Sequence, residues 1–295
     1  MDKLIVILGP TASGKSTLAI QLARKFRGEI ISADSRQVYQ GMDIGTGKIT
    51  RAEQKLVPHH LLDVVSPKKQ FSVSDFKRLA QKALTDIRKH GKLPFLVGGT
   101  AFYIYALIDN IDIPEAKPNL KLRKALDKKS LAELVIILKN LDPKRAKTID
   151  LKNPVRIIRA IEINVVTGKS IPQIELKHSP KKDVLILGLT KSEKELKQNI
   201  SQRVDEWIKR GLIKEVQNLK KSGLSFKRIE SFGLEYKLVS QFLQKKISKD
   251  LMIEQIKISN YQFAKRQMTW FKRDPRIRWI KNEREASNII KNFIK

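Results

Sequence analysis

The sequence predicts an α/β fold, in which a parallel sheet carries helices on both faces and a small helical domain is inserted. Short apolar segments alternate with helical segments behind a glycine-rich phosphate-binding motif, and this alternation is typical of parallel sheets. Residues 113–182 depart from it, because basic helical segments follow one another there without a strand. We therefore predict a phosphate-loop core domain of residues 1–112 and 183–295, ending in several helices, and a helical insertion domain of residues 113–182.

The first strand and the loop behind it indicate the ligand. Residues 4–9 are apolar or small, residues 9–16 fit the pattern G-x-x-x-x-G-K-[ST], and a helical run of residues 16–26 follows. Glycines allow successive backbone N–H groups to point at an anion, Lys15 adds a charge for the outer phosphate, and the Ser16 hydroxyl is placed for Mg²⁺. Taken alone, the loop suggests a nucleotide such as ATP. The alternative is a glycine-rich turn that binds nothing, but the complete pattern favours a di- or triphosphate.

The remaining elements follow from apolar runs and from helical periodicity. Further strands are predicted at residues 29–33, 61–65, 94–99, 183–188 and 276–280. Helices are predicted at residues 72–90, from residue 100 onward, and at 119–127, 130–140, 153–167, 193–210, 212–221, 233–245 and 248–272. Residues 40–60 are rich in turn-forming residues, so no element is predicted there.

The composition points to a polyanionic partner and a reducing compartment. Sixty Lys and Arg residues against 30 Asp and Glu give a net charge of +30, which is typical of proteins that bind nucleic acid. A general lysine bias of the source genome is the alternative explanation. The absence of cysteine excludes disulfides, thiolate zinc sites and a cysteine nucleophile. No apolar run approaches the roughly 20 residues of a membrane helix, so we expect a cytoplasmic protein that does not bind membranes.

Several short motifs behind the phosphate loop require a joint explanation. They are Ser32-Ala-Asp-Ser-Arg-Gln-Val-Tyr39, Gly41-Met-Asp-Ile-Gly-Thr46, Pro58-His-His60, Val97-Gly-Gly-Thr100, Asn153-Pro-Val-Arg156, Arg159-Ala-Ile-Glu162, Arg203, Gly211-Leu-Ile-Lys-Glu-Val216 and Ala264-Lys-Arg-Gln-Met-Thr-Trp-Phe271. In this order and spacing the chain resembles the tRNA dimethylallyltransferases, also called tRNA isopentenyltransferases. The resemblance extends to about Asp274, which is nearly the whole length.

The resemblance implies a prenyl transfer to tRNA. Enzymes of this family move a dimethylallyl group from dimethylallyl diphosphate to N6 of the adenine immediately 3′ of the anticodon, in tRNAs reading codons that begin with U. The products are N6-(dimethylallyl)adenosine and diphosphate. The implied fold is like that of nucleotide kinases, but the loop holds the donor's diphosphate, with Mg²⁺. The implied insertion domain grips the anticodon stem-loop, and a monomer suffices.

Catalytic roles follow from the resemblance together with the chemistry. An aryl amine is a weak nucleophile and diphosphate leaves with heavy negative charge, so a base and surrounding cations are needed. Asp34 matches the family's catalytic aspartate, and the end of a parallel strand is where such sites lie. Thr100 matches a position that contacts the adenine, and Arg203 one that reaches the phosphates. Alternatives for Asp34 are a helix or turn cap, an outer-sphere Mg²⁺ ligand or a hydrogen bond to the amine. The alternative for Arg203 is a surface arginine.

The loop motif, the resemblance and the position of residues 265–267 late in a long helix together assign the ligand-binding residues. The diphosphate site comprises Gly9, Pro10, Thr11, Ala12, Ser13, Gly14, Lys15 and Ser16. The tRNA-binding set comprises Asp34, Ser35, Arg36, Gln37, Thr100, Arg123, Val155, Arg156, Ile157, Ile158, Arg159, Lys265, Arg266 and Gln267. Arg156 and Arg159 are three residues apart and share a helix face, which a solvated or salt-bridged face explains nearly as well.

The chain departs from the family pattern at three places. Ala101-Phe102 replaces the usual glycine-leucine, which would narrow the prenyl channel. Asn199 replaces a frequent arginine, which would weaken a phosphate or RNA contact. Gly233-Leu-Glu-Tyr236 replaces the usual glycine-tyrosine. His59 and His60 are adjacent and have no third ligand nearby, so we predict packed or backbone-bonded histidines instead of a zinc site.

Two other functions stay open at this stage. A small-molecule or nucleotide kinase would explain the loop and the sheet, but neither the net charge nor the basic insertion. A non-catalytic RNA-binding protein with a nucleotide switch would explain the charge, but not Asp34 and Thr100. A transfer assay with dimethylallyl diphosphate and tRNA discriminates among the three.

Overall fold

The computed structural model describes residues 3–111, 113, 114, 116, 118–170 and 183–295. The chain divides into two compact units, one of Met1–Ile108 with Leu176–Lys295 and one of Asp109–Glu175. The predicted insertion of residues 113–182 ends outside the described residues, so its boundaries stay a prediction.

The first unit is built on a six-stranded sheet in the order β3-β2-β4-β1-β5-β6, and every neighbouring pair is parallel. The strands are β1 (Leu4–Leu8), β2 (Gly28–Ala33), β3 (His59–His60), β4 (Leu93–Gly98), β5 (Val184–Leu189) and β6 (Arg278–Ile280). Leu8 pairs with both Gly98 and Gly188, and Ala33 pairs with Gly98, so β1, β2, β4 and β5 end at one edge. The predicted parallel sheet is confirmed.

Ten helices belong to the first unit with the sheet, and four others form the second unit, among the described residues. The helices of the first unit are α1 (Lys15–Lys25), α2 (Arg51–Leu56), α3 (Val73–Lys89), α4 (Ala101–Ile108), α9 (Glu193–Lys209), α10 (Leu212–Lys221), α11 (Phe226–Glu230), α12 (Leu234–Leu243), α13 (Lys249–Phe271) and α14 (Glu283–Ile294). Those of the second unit are α5 (Leu120–Leu126), α6 (Leu131–Leu141), α7 (Pro143–Ala146) and α8 (Pro154–Thr167). No helix within the described ranges is long and apolar enough to span a bilayer.

The sheet is apolar on both faces, which requires cover on both. Ile5, Phe95 and Leu187 belong to a buried cluster that α1 and α14 complete, and a second cluster joins α9–α13 to the chain after β2. Apolar burial of this kind contributes about 25 cal/mol for each Å² removed from water. These layers keep the carboxyl ends of the central strands in place.

The third strand was predicted at the wrong residues. The structure has it at His59–His60 and not at residues 61–65. Leu61 and Asp63 have left-handed backbone, with φ of 66° and 56°, which an extended ladder does not accommodate. Val65 keeps only an isolated parallel bridge to Tyr39.

Four short or terminal helices were not predicted, namely α2, α7, α11 and α14. The signal for α2 is present in the sequence, because Thr50 and Glu53 form a capping box at its start. Asn282 caps α14 by accepting a hydrogen bond from the Glu285 backbone N–H. Both caps follow from residue type and spacing, so these helices were predictable.

The second unit is a small bundle with its own core. Leu126, Leu134, Leu138 and Ile161 pack in one buried cluster. Asn119, Ser130 and Asn153 each accept a backbone hydrogen bond three residues ahead and begin α5, α6 and α8. The three helices predicted here are thereby confirmed.

Candidate functional site: an anion cradle beside a carboxylate

The phosphate loop fills the gap between β1 and α1. A Cβ on Gly9 would lie 2.2 Å from the Leu189 carbonyl oxygen, so only glycine fits between the loop and β5. Gly14 has a φ of 88° and caps α1, which directs the N-terminal N–H groups of that helix toward the loop. The geometry is that of an anion cradle.

Side chains from distant helices hold the cradle. Gln267 of α13, only 6% exposed, accepts a hydrogen bond from the Thr11 backbone N–H (2.8 Å) and donates one to the Gly99 carbonyl oxygen (2.8 Å). Asn199 Nδ2 of α9 donates to the Ala12 carbonyl oxygen (3.1 Å). Gln267, predicted to contact tRNA, is thus placed against the loop, and Asn199 contacts the loop in spite of replacing an arginine.

Two cations face the cradle. Lys15 Nζ donates to the Pro10 carbonyl oxygen (3.2 Å), and Arg203 Nη1 donates to Thr11 Oγ1 (3.0 Å). Burial, followed by the charge of Arg203, lowers the pKa of Lys15 to about 8, while Asp34 opposes the shift. Burial also lowers the pKa of Arg203. Cations this poorly compensated favour a bound polyanion.

Ser13 places a buried hydroxyl in the loop. Its Oγ is buried, and no described residue hydrogen-bonds to it. Buried hydroxyls are nearly always paired, so an unpaired one inside an anion cradle fits a phosphate oxygen or a cation's water. Residues 9–16, which are predicted to bind diphosphate, therefore form one loop, and their ligand stays a prediction.

Asp34 follows β2 at the same sheet edge. Its Oδ1 accepts hydrogen bonds from the backbone N–H groups of Arg36 (2.8 Å) and Gln37 (3.3 Å). Thr100, which follows β4, accepts one from the Ser35 N–H through Oγ1 (3.2 Å). The carboxylate therefore caps its own turn at the sheet edge where the cradle lies, and its charge opposes the lowering of the Lys15 pKa.

The residues after Asp34 are fixed by the next turn. Gln37 Nε2 donates to the carbonyl oxygens of Thr46 (3.3 Å) and Gly47 (3.4 Å), and Gln37 Oε1 accepts from Ser32 Oγ. Arg36 reaches the start of α12, where its Nη2 lies 3.9 Å from a Cβ built on Gly233. The structure therefore brings Asp34, Ser35, Arg36, Gln37 and Thr100 together.

The other predicted tRNA residues divide into two kinds. Glu162, fully buried, accepts hydrogen bonds from Arg123 Nε (2.8 Å) and Nη2 (2.7 Å) and from Arg159 Nη1. Burial alone would raise the pKa of Glu162, but the two arginines lower it, so the carboxylate stays charged. Arg123 and Arg159 are therefore salt-bridged to Glu162, and their contact with tRNA stays a prediction.

The other predicted tRNA residues on α8 are partly in the core and partly at the surface. Ile157 and Ile158 are buried in the core of the second unit, whereas Val155 is 75% exposed. Arg156 is exposed, with Asp150 3.9 Å away. On α13, Lys265 and Arg266 are exposed and lie over the rings of Tyr261 and Phe263, so their charged groups face solvent.

The two adjacent histidines make separate contacts. His59 Nδ1 donates to the Val57 carbonyl oxygen (2.7 Å), and His60 Nε2 pairs with Glu29 Oε2 (2.7 Å). Among the residues that the structure describes, no group of three or more His, Cys, Asp or Glu could hold a metal ion.

Two buried glutamates were missed by the sequence analysis. Glu215 accepts hydrogen bonds from the turn after β2, and Glu235 lies near Asp34, Arg36 and Arg203 with Asn260 Nδ2 donating to it (2.7 Å). A signal existed, because both glutamates stand among apolar residues on the inward face of a helix.

The fold and the site define a class of protein. A parallel α/β sheet carries a glycine-rich anion cradle at the end of β1 and a carboxylate at the end of β2, which is typical of phosphate-loop transferases.

Comparison with known proteins identifies the family. The IPP transferase model matches residues 37–274, and the isopentenyl transferase model matches residues 2–67. The chain is 41% identical to the tRNA dimethylallyltransferase of Acetivibrio thermocellus, over 99% of this chain and 96% of that protein. It is 42% identical to that of Carboxydothermus hydrogenoformans, over 97% and 94%. The chain belongs to the IPP transferase family, whose members are prenyl transferases.

Solved structures agree. The tRNA isopentenylpyrophosphate transferase of Bacillus halodurans aligns over 100% of this chain and 97% of its own, with a TM-score of 0.74 and 35% identity. A eukaryotic dimethylallyltransferase acting on tRNA aligns over 99% and 79%, with a TM-score of 0.81 and 29% identity. The predicted family, fold class and enzyme class are therefore confirmed.

Proposed function

We propose that this protein transfers a dimethylallyl group from dimethylallyl diphosphate to N6 of the adenine immediately 3′ of the anticodon, in tRNAs reading codons that begin with U. One observation carries the proposal: an anion cradle with two cations lies at the sheet edge where Asp34 and Thr100 follow their strands. The names of the relatives supply the two substrates, since they are tRNA dimethylallyltransferases.

The proposed reaction is a displacement at C1 of the donor. The N6 lone pair forms the new N–C bond, and the C1–O bond breaks with its electron pair on the diphosphate. The N6 proton passes to Asp34, whose turn hydrogen bonds keep the carboxylate oriented. The Thr100 hydroxyl orients the adenine. Lys15, Arg203 and the loop N–H groups stabilise the departing diphosphate.

Mg²⁺ is the proposed cofactor. The Ser16 hydroxyl in the first turn of α1 and the unpaired Ser13 Oγ offer oxygen ligands at the cradle. Such oxygens suit a hard cation that is also coordinated by phosphate oxygens. When bound, the ion would offset part of the negative charge on the departing diphosphate. The chain's own cations bind and orient the diphosphate.

The tRNA is held mainly through its phosphates. The net charge of +30, the exposed Arg156 on α8, and Lys265 and Arg266 on α13 support this. We propose that the helical insertion grips the anticodon stem-loop and that the target base is flipped out toward Asp34. A cytoplasmic monomer is part of the proposal, tested by sedimentation and by cell fractionation.

The experiment is a transfer assay with a matched substrate. The protein, Mg²⁺ and labelled dimethylallyl diphosphate are mixed with a tRNA that has adenine after its anticodon, and with the same tRNA carrying guanine there. We expect label on the first tRNA alone. Tight tRNA binding without transfer would favour the RNA-binding alternative, and ATP turnover on a small acceptor would favour the kinase.

A further inference from the structure

We propose that Glu215 and Tyr236 are positioning residues for prenyl transfer, which hold the turn of residues 43–47 and thereby fix Gln37 and Arg203 at the reacting site. The inference rests on the proposed function. Both residues bind the turn or its carboxylate partner, and they act on the site through the turn.

The turn is bound by a single carboxylate. Glu215 Oε2 accepts hydrogen bonds from the backbone N–H groups of Asp43 (2.8 Å) and Ile44 (2.7 Å). Its Oε1 accepts from the Gly45 N–H (3.1 Å) and from the Tyr236 hydroxyl (2.8 Å). The residue is 9% exposed, so these four charge-assisted bonds are shielded from water.

The Tyr236 hydroxyl remains a donor at every working pH. Burial, followed by the charge of Glu215, raises the pKa of Tyr236 well above its ordinary value. Gly45 packs against the same ring, since a Cβ there would lie 3.0 Å from Tyr236 and 2.9 Å from Leu212. Helices α10 and α12 therefore determine where the turn lies.

The other side of the turn faces the site. The carbonyl oxygens of Thr46 and Gly47 accept the Gln37 amide, and the Gln37 backbone N–H donates to Asp34 Oδ1 (3.3 Å). Gly47 lies beside Arg203, because a Cβ there would be 3.9 Å from Nη1 and 3.5 Å from the Trp207 ring. A displaced turn would therefore move both Asp34, the proposed base, and the Arg203 guanidinium.

Three of the four donors to Glu215 are backbone N–H groups, which remain in place whatever side chain stands at residue 215. The three N–H groups of the turn point at Glu215, and an apolar side chain would leave them unpaired. The charge therefore serves the geometry of the turn.

The test compares two variants with a matched control. Glu215→Gln keeps the shape but turns an amide N–H₂ toward backbone donors, and Tyr236→Phe removes one bond only. Glu230→Gln is the control, because Glu230 Oε1 also accepts a side-chain amide bond (Gln244 Nε2, 2.8 Å) and does not contact the turn. Steady-state prenyl transfer, tRNA binding and thermal unfolding are measured for each.

We expect a loss of kcat without a loss of binding. Misplaced groups can lower the rate about 100-fold, so Glu215→Gln should reduce kcat about 10- to 100-fold and Tyr236→Phe about 3- to 10-fold. The Kd for tRNA should stay within about twofold of wild type, and Glu230→Gln should match wild type, since no reacting group moves.

Three outcomes would overturn the inference. Wild-type kcat in both variants is the first. A loss of activity that vanishes at temperatures where the variant is fully folded is the second, because it indicates a purely structural role. Weakened binding at unchanged kcat is the third. If Glu215→Gln does not fold, Tyr236→Phe decides. A wild-type protein without transfer would instead refute the proposed function, and this inference with it.

Discussion

At the scale of single residues, Asp34 combines two tasks in one carboxylate. Its Oδ1 caps the turn that carries Arg36 and Gln37, and its charge acts on Lys15. The turn-cap interpretation and the catalytic one therefore describe the same side chain. Only a substitution that preserves the cap can separate them.

Asp34→Asn preserves the acceptor oxygen and removes the basicity. We expect prenyl transfer to fall about 10²- to 10⁴-fold, the usual contribution of a general base, with tRNA binding nearly intact. Label transfer and a filter-binding measurement check this. Asp205→Asn is the control, since that half-exposed carboxylate pairs only with Lys257 in the described part of the chain (2.8 Å). More than half of the wild-type rate in Asp34→Asn would show that Asp34 is only a cap.

At the scale of elements, α9 and α13 hold the phosphate loop from outside the loop motif. Gln267 hydrogen-bonds both the Thr11 N–H and the Gly99 carbonyl oxygen. Asn199 and Arg203, one helical turn apart on α9, bind the Ala12 carbonyl oxygen and Thr11 Oγ1. The loop's shape is therefore a property of the packed helices as well as of its own glycines.

Gln267→Ala tests the role of α13 in the loop. Two hydrogen bonds of a buried side chain are lost, which at about 1 kcal/mol each should weaken diphosphate binding roughly 10- to 30-fold. Binding of tRNA should be unchanged, contrary to the sequence-based assignment of Gln267 to tRNA. Calorimetry with diphosphate and Mg²⁺ measures the effect. Gln262→Ala, an exposed position on the same helix, should bind like wild type.

The packing of α12 on α13 makes the free energy of unfolding depend on pH through Glu235. Burial, with a smaller contribution from Asp34, raises the pKa of Glu235 to about 7, although Asn260 and Arg36 oppose the shift. Because the folded-state pKa lies above the ordinary value, stability from this group is complete below about pH 4.5 and is lost as the pH rises through about 7.

Glu235→Gln should remove that dependence. Its free energy of unfolding relative to wild type should rise between pH 5 and pH 8 by on the order of 2 kcal/mol. Urea denaturation at several pH values measures this difference. Glu230→Gln is the control and should follow wild type at each pH. A constant difference across the range would mean that Glu235 does not titrate there.

At the scale of the whole molecule, the excess positive charge includes arginines that face solvent and arginines that pair with a buried carboxylate. In the second unit, Arg156 faces solvent, while Arg123 and Arg159 neutralise the buried Glu162. Charge counted from the sequence therefore overstates the charge available to RNA.

Arg156→Ala and Arg159→Ala should differ in kind. Arg156→Ala should weaken tRNA binding and reduce the slope of log Kd against log salt by about one phosphate contact. Arg159→Ala should destabilise the second unit, because Glu162 loses a partner in a buried setting. Salt titrations and thermal unfolding check the two effects. Equal salt slopes for wild type and Arg156→Ala would place Arg156 outside the tRNA interface.

Much of the fold could be predicted because its signals are local. The strands Leu4–Leu8 and Val184–Leu189 are apolar runs, and α3 shows both a capping box and helical spacing. The strand at His59–His60 was missed because tertiary pairing with β2 decided its place. The placement of Asp34 and Thr100 at one edge of the sheet could also be predicted, since parallel strands end together and these residues follow two of them.

The sequence by itself determined the phosphate loop, the parallel sheet, the helical insertion and the family, since each depends on residue types at short, fixed spacings. Only the tertiary structure decided that Gln267 and Arg203 close on Thr11, and that Glu215 holds the turn beside the site. These contacts join residues 256, 192 and 172 positions apart. Partners so distant are selected by the packing of whole helices, which no local pattern encodes.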